Sequence, residues 1–129
     1  MSLDIPLVPR MIHRPDAPAH MMRAKPMERT VRVVREGEVL AEGRPLQVIE
    51  IGRDVYDPVY YFHRSDVRAE LEDTPKSTHC PLKGDTTYLD VNDVGAIAWS
   101  YTKPLKLADI LRDRVAFDAG AVEITLLPA

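Results

Sequence analysis

The sequence predicts a mainly β protein: a compact antiparallel sheet or small barrel carrying two short helices. Three observations point there. Runs rich in Val, Ile, Tyr, Phe and Thr recur along the chain, about seven or eight of them, divided by Gly, Asn, Asp or Pro turn signals. Helical spacing of apolar residues appears in only two short stretches. Strands and helices do not alternate as repeating βαβ units, which argues against a parallel sheet.

The elements follow in order. Residues 1–27 carry Pro6, Pro9, Pro15, Pro18 and Pro26 among Met11, Met21, Met22 and Met27, with neither helical nor alternating periodicity. Two readings stand: a mobile arm, or an extended arm whose methionines adapt to a neighbouring subunit. Residues 28–129 then form one β-domain. In "TVRVV", Val31 and Val33 share a face opposite Arg32, and "REGEV" supplies a glycine turn, so Thr30 to Glu42 reads as a hairpin. Leu46 to Ile51 and Pro58 to Phe62 are the next strands. Ser65 is placed to cap a short helix from Asp66 to about Glu72, with Val67 and Leu71 on its buried side and Thr74-Pro75 as its stop. A strand near Ser77 to Pro81, a turn at Lys83-Gly84-Asp85 and a strand from Thr86 to Val91 follow. Asn92-Asp93 turns the chain into the long strand "VGAIAWSYT". Leu107, Ile110 and Leu111 give the second helix, and "VAF" and "AVEITLL" close the chain as strands.

Composition narrows the classes. At 129 residues the chain is one domain's length. A net charge of −3 gives no electrostatic footprint for nucleic acid or an anionic membrane. No apolar run approaches the ~20 residues of a membrane span, and the N-terminus lacks the pattern of a signal peptide. A single cysteine makes no intrachain disulfide and no multi-cysteine zinc site, which fits a reducing cytoplasm.

"PVYYF", "SDV", "THCPLKGDTTY", "AWSY" with "KPL", and "VAF" stand in this order. Together they resemble the bacterial family catalogued as domain of unknown function 427, over about Thr30 to Thr125, and the "HCPLKG" and "AWSY" blocks carry the specificity. The chain departs from the family at "YFHR", where a proline often replaces His63, and it is short around Asn92-Asp93. The resemblance implies a fold that looks like the β-tent, or Mss4-like, architecture. Its relatives include B-type methionine sulfoxide reductases and the ligand-binding domain of cereblon, which carry a structural zinc on two cysteine pairs. This chain lacks those pairs, so no zinc carries over. The family is also labelled nucleotidyltransferase-like. The sequence offers no P-loop, no glycine-rich phosphate loop before a helix and no paired-aspartate motif, and it calls for no cofactor.

Candidate chemistry gathers in Thr78 to Asp85 and on the aromatic strands. A nucleophilic Cys80 needs a base. His79 is adjacent and points to the opposite face of a strand, so only His63 remains as a base; otherwise Cys80 is a small buried apolar side chain. Lys83-Gly84-Asp85 reads as a phosphate-binding turn or a plain hairpin turn. In "AIAWSY", Ile97, Trp99 and Tyr101 share one face. With Tyr61 and Tyr88 they line a pocket or fill the core; in the first case His79, Lys83 or Asp66 stands at the mouth. His63, His79 and Asp66 are potential metal ligands, but their spacing does not force a site, and none is expected. The expected ligand-binding set is therefore His79, Lys83, Tyr88, Trp99, Tyr101, Tyr61 and Asp66. The leading expectation is a module binding a small polar ligand. The alternatives are an enzyme using Thr78 to Asp85 and a homo-oligomer clasped by the N-terminal arm.

Overall fold

In the computed structural model, which describes residues 10–128, the chain forms three antiparallel sheets, and none closes into a barrel. The first sheet orders β1 (Ile12–Arg14), β2 (Ala17–Pro26), β5 (Leu46–Ile51) and β6 (Val59–Tyr61) side by side. The second sheet places β12 (Glu123–Leu126) beside β3 (Val31–Arg35), and β3 beside β4 (Glu38–Gly43). In the third, β11 (Val115–Phe117), β10 (Val94–Pro104), β9 (Gly84–Val91) and β7 (Leu71–Asp73) pair in that order, and the short β8 (His79–Cys80) also pairs with β9. Among the described residues, helical structure is confined to two 3₁₀ segments, Arg64–Asp66 and Lys106–Leu111. No helix of the described residues is long and apolar enough to cross a membrane.

Turn chemistry sets the hairpin registers. Glu36 and Gly37 have φ of 49° and 78°, and Asn92 and Asp93 have φ of 47° and 67°. Two consecutive left-handed residues match the right-handed twist of the strands they join. Arg35 therefore faces Glu38, and Val91 faces Val94.

The short strands β6 and β11 have a core on each face. Alternation sends Tyr61 to one side and Phe62 to the other, and Val115 and Phe117 to the side opposite Ala116. One core joins Phe62, Val115 and Phe117 to Val31, Val33, Leu40 and Leu89. The other joins Tyr61, Ala116 and Tyr101 to Met22, Leu46, Val48, Leu82 and Leu111. Phe62 and Val115 exchange backbone hydrogen bonds of 2.8 and 2.9 Å, which link the first sheet to the third. Burial on both faces explains why "VAF" is a continuous apolar run rather than an alternating one.

Several elements differ from the sequence expectation. From Ile12 onward, the segment read as an arm is a hairpin of this chain's own first sheet: Met21 to Pro26 register against Ile51 to Leu46, and Met22 is fully buried. Residues 1–9 of that arm lie outside the described residues. The helix expected from Asp66 to Glu72 does not form. Only Arg64–Asp66 is helical; the amides of Arg68 and Ala69 bond to the Leu40 carbonyl, and Leu71 pairs with Val91. Strand partners thus override local helical spacing. The turn after Cys80 falls on Pro81 to Lys83, closed by the Lys83 amide on the Cys80 carbonyl at 3.2 Å, and Gly84 already begins β9. Along β10, Ala96 has φ 54° and the register shifts between Val94 and Ala98. That bulge places Ile97 in the first core and leaves Trp99 and Tyr101 with the second, so the three do not share one cluster.

Two substitutions test this packing. Gly84 has φ 112°, and a Cβ there would lie 2.5 Å from the Lys103 carbonyl oxygen and 2.6 Å from the Leu105 nitrogen. Gly84→Ala should therefore lower unfolding free energy by about 2–4 kcal/mol, because backbone on both sides has to move. The Ser100 hydroxyl is buried without a hydrogen-bond partner among the described residues. Ser100→Ala should raise stability by up to about 1 kcal/mol. Urea denaturation of both variants checks the two signs.

Candidate functional site

A cleft of about 530 Å³ opens where three separate stretches of chain meet. The β1–β2 hairpin contributes Arg14, Ala17, Ala19 and His20; the end of β5 and its following loop contribute Glu50, Gly52, Arg53 and Tyr56; β8 and its turn contribute His79, Cys80 and Pro81. Small residues leave the space open. A Cβ added to Gly52 would sit 3.5 Å from both the His20 and the Tyr56 ring, so these rings flank the glycine.

Glu50 forms the floor. Leu46 and Val48 are buried, and strand alternation puts Glu50 on their face, at the inward end of β5. Its Oε1 accepts a hydrogen bond from Lys83 Nζ, and its Oε2 accepts one from His20 Nε2 at 2.7 Å. All three side chains are largely buried. Burial pushes the Glu50 carboxyl up, but hydrogen bonds from Lys83 and His20 outweigh it and hold the group below its ordinary range. Burial pulls Lys83 down; the neighbouring Tyr61 oxygen and the hydrogen bond to Glu50 more than offset that, so its affinity for a proton rises. Tyr61 is itself kept protonated by burial, which leaves Glu50 as the anion facing Lys83 at neutral pH.

Lys83 also connects the floor to the aromatic core. Its Nζ lies 5.7 Å from the Tyr101 ring centre, within cation–π range. Tyr101 packs on Tyr61 at 6.2 Å between ring centres, Trp99 Nε1 reaches the Tyr61 hydroxyl at 3.4 Å, and Trp99 lies 6.1 Å from Tyr88, its direct cross-strand partner. Burial drives the Tyr101 phenol, like that of Tyr61, well above its usual range.

A family model for a domain of unknown function, DUF427, matches residues 23–127. The chain belongs to the DUF427 family. No curated protein matches the chain. The part of the DUF427 domain covered by that match includes Glu50, Arg53, Tyr56, His79, Cys80 and Lys83, whereas Arg14, Ala17, Ala19 and His20 precede it.

Of the seven residues expected to bind a ligand, only His79 lines this cleft. Its Nδ1 lies 2.6 Å from Asp85, and both side chains are at least half exposed. Lys83 sits beneath the cleft, turned onto Glu50. Tyr61 and Tyr101 are buried in the second core, with Trp99 packed against it. Tyr88 carries Lys76 over its ring at 4.2 Å, away from the cleft. Asp66 lies over Gly43 at the end of β4, where its carboxylate would collide with any added Cβ. Cys80 both lines the cleft and packs against the second core. Among the described residues, no group of three or more His, Cys, Asp and Glu is arranged to hold a metal ion.

Sequence reasoning missed Arg14, His20, Glu50, Arg53 and Tyr56. One of them left a signal: in "LQVIEI" a carboxylate occupies the inward parity of an otherwise apolar strand.

The floor predicts a pH window. Glu50 has its proton affinity lowered by folding, so its contribution to stability is full above its ordinary value of 4.5 and is lost as pH falls through the lower folded value. Lys83 has its proton affinity raised by folding, so its contribution is full below its ordinary value of 10.5 and is lost as pH rises through the higher folded value. Glu50→Gln and Lys83→Met should each cost about 1–3 kcal/mol at neutral pH, and the double variant less than their sum. Chemical denaturation from pH 3 to 11 should show the wild-type advantage over the double variant flat in mid-range and shrinking at both ends, with pH values chosen about the reference values for the two groups.

Proposed function

We propose that this DUF427 domain binds a small polar molecule in the cleft between the β1–β2 hairpin, the end of β5 and β8. One observation carries the reading. The floor carboxylate is already satisfied on both oxygens by Lys83 and His20, so the cleft has a fixed base, while polar side chains from three distant stretches converge above it. That combination of a preorganised floor and convergent polar walls is what a ligand site requires. The volume also falls within the range of about 300–1,000 Å³ usual for small-molecule sites. The aromatic strands support the site from behind: their rings fill the second core and hold Lys83 in place.

A thiol-based activity is the second reading, favoured by the position of Cys80 on the wall of the same cleft. The same experiment addresses both. Fragment binding should shift backbone amide resonances of Ala19, Gly52, Tyr56 and Cys80 and slow alkylation of Cys80 by iodoacetamide in the folded protein. Gly52→Leu, which pushes a side chain between the His20 and Tyr56 rings, should abolish those shifts without unfolding the chain. Fragments that shift a different surface, or that bind the folded Gly52→Leu variant equally well, would overturn the cleft reading. A thiol that reacts only after unfolding would remove the second.

A further inference from the structure

We infer that the ligand of this cleft carries an anionic group, seated on Arg53, and an apolar or planar body laid against Tyr56. This inference rests on the preceding reading of the cleft as a ligand site.

The charges around the cleft are unequally committed. Among the described residues, Glu50 is the one carboxylate lining it, and both of its oxygens accept hydrogen bonds from Lys83 and His20. Of the carboxylates near these residues in sequence, Asp16 holds Arg14 through two bonds of 2.7 and 2.8 Å, Asp85 holds His79, and Asp54 accepts the Val55 amide on one oxygen at 2.8 Å, while Asp57 does not line the cleft. Arg53 lines the cleft and has no hydrogen bond or ion pair among the described residues. A guanidinium offers a planar fork of donors that matches a carboxylate or a phosphate, and it keeps its charge at every physiological pH. Among the described residues that line the cleft, no carboxylate is bonded to it or left with a free oxygen to compete for it.

The loop that carries Arg53 is folded before any ligand arrives. The Gly52 amide bonds to the Asp54 carbonyl at 2.9 Å, Ile51 bridges to Val55, and the Tyr56 amide bonds to the Glu50 carbonyl at 3.0 Å. These bonds double the chain back onto β5, with Arg53 in the bend and Tyr56 beside the cleft. Tyr56 is 46% exposed, one of few large hydrophobic side chains so exposed among the described residues. An exposed ring next to an unpaired guanidinium suits a molecule with an anionic head and an apolar body.

The test uses a matched series titrated into the whole chain at constant ionic strength: benzoate, phenyl phosphate, benzyl alcohol, benzylamine and inorganic phosphate, followed by amide shifts of Gly52, Arg53, Tyr56 and Cys80. At least one aromatic anion should bind about tenfold or more tightly than the alcohol, as a charged hydrogen-bonded pair implies. Arg53→Gln should remove that advantage and leave alcohol binding unchanged. Comparing benzoate with phenyl phosphate distinguishes a carboxylate ligand from a phosphate one. Phenyl phosphate binding no better than inorganic phosphate would overturn the seat on Tyr56. Benzyl alcohol or benzylamine binding as tightly as the anions, or an anion advantage that survives Arg53→Gln, would overturn the inference while leaving the cleft as a ligand site. If no member of the series shifts these amides, the cleft reading itself falls, and the inference with it.

Discussion

A carboxylate at an inward position of a strand has to be paired, and the pairing of Glu50 organises this end of the molecule. An unpaired buried charge carries a penalty of several kcal/mol. Lys83, 33 residues away in sequence, and His20, 30 residues away, supply the partners. That requirement ties β2, β5 and the Pro81–Lys83 turn to one another. The position of Lys83 depends in turn on its neighbours: Leu82 is fully buried in the second core, the Leu105 amide bonds to the Lys83 carbonyl at 2.8 Å, and Gly84 allows the backbone of Lys103 to Leu105 to pass close by. The charge pair and the glycine are two parts of one constraint.

The two-faced strands explain why Tyr61 and Tyr101 are buried in a core and Trp99 is packed against it rather than lining the cleft. β6 and β11 separate two cores, and β10 contributes to both, so large side chains on these strands meet packed neighbours on either side. The polar tips of Trp99 and Tyr61 are turned toward each other. The Tyr101 ring, packed on Tyr61, lies 5.7 Å from the Lys83 ammonium. Open space occurs instead where Ala17, Ala19 and Gly52 withhold side-chain volume.

The sequence was most legible where local chemistry and tertiary context agreed. The Glu36-Gly37 and Asn92-Asp93 turns, the strand Leu46–Ile51 and the strand at "VAF" all appear where residue type places them. It was least legible where pairing overrode local preference. Val67 and Leu71 have helical spacing, yet each is held by a strand partner, Ala41 and Val91. The β1–β2 hairpin has no readable alternation, because prolines interrupt it and methionine adapts to either face; its place is fixed by the ladder with β5. The cleft was therefore hidden in proportion to its dependence on that hairpin. Glu50 was readable by parity, whereas Arg14 and His20 become visible only once β2 lies beside β5.

The same pairing decides what the cleft presents to an incoming molecule. Had Glu50 faced the cavity with a free oxygen, it would have been the dominant charge there, favouring cations and acting as a candidate base. With Lys83 beneath it and His20 beside it, its negative charge is compensated within the protein, and neither oxygen is free of a hydrogen bond. His20 is oriented by that bond: because the carboxylate only accepts, the proton is on Nε2, and the imidazole is fixed in the wall. Among the described residues at its rim, Arg14 and His79 are held by their own carboxylates and Arg53 is not. A buried charge neutralised from within thus leaves the exposed Arg53, in the bend after β5, as the cleft-lining guanidinium that no carboxylate of the described residues holds.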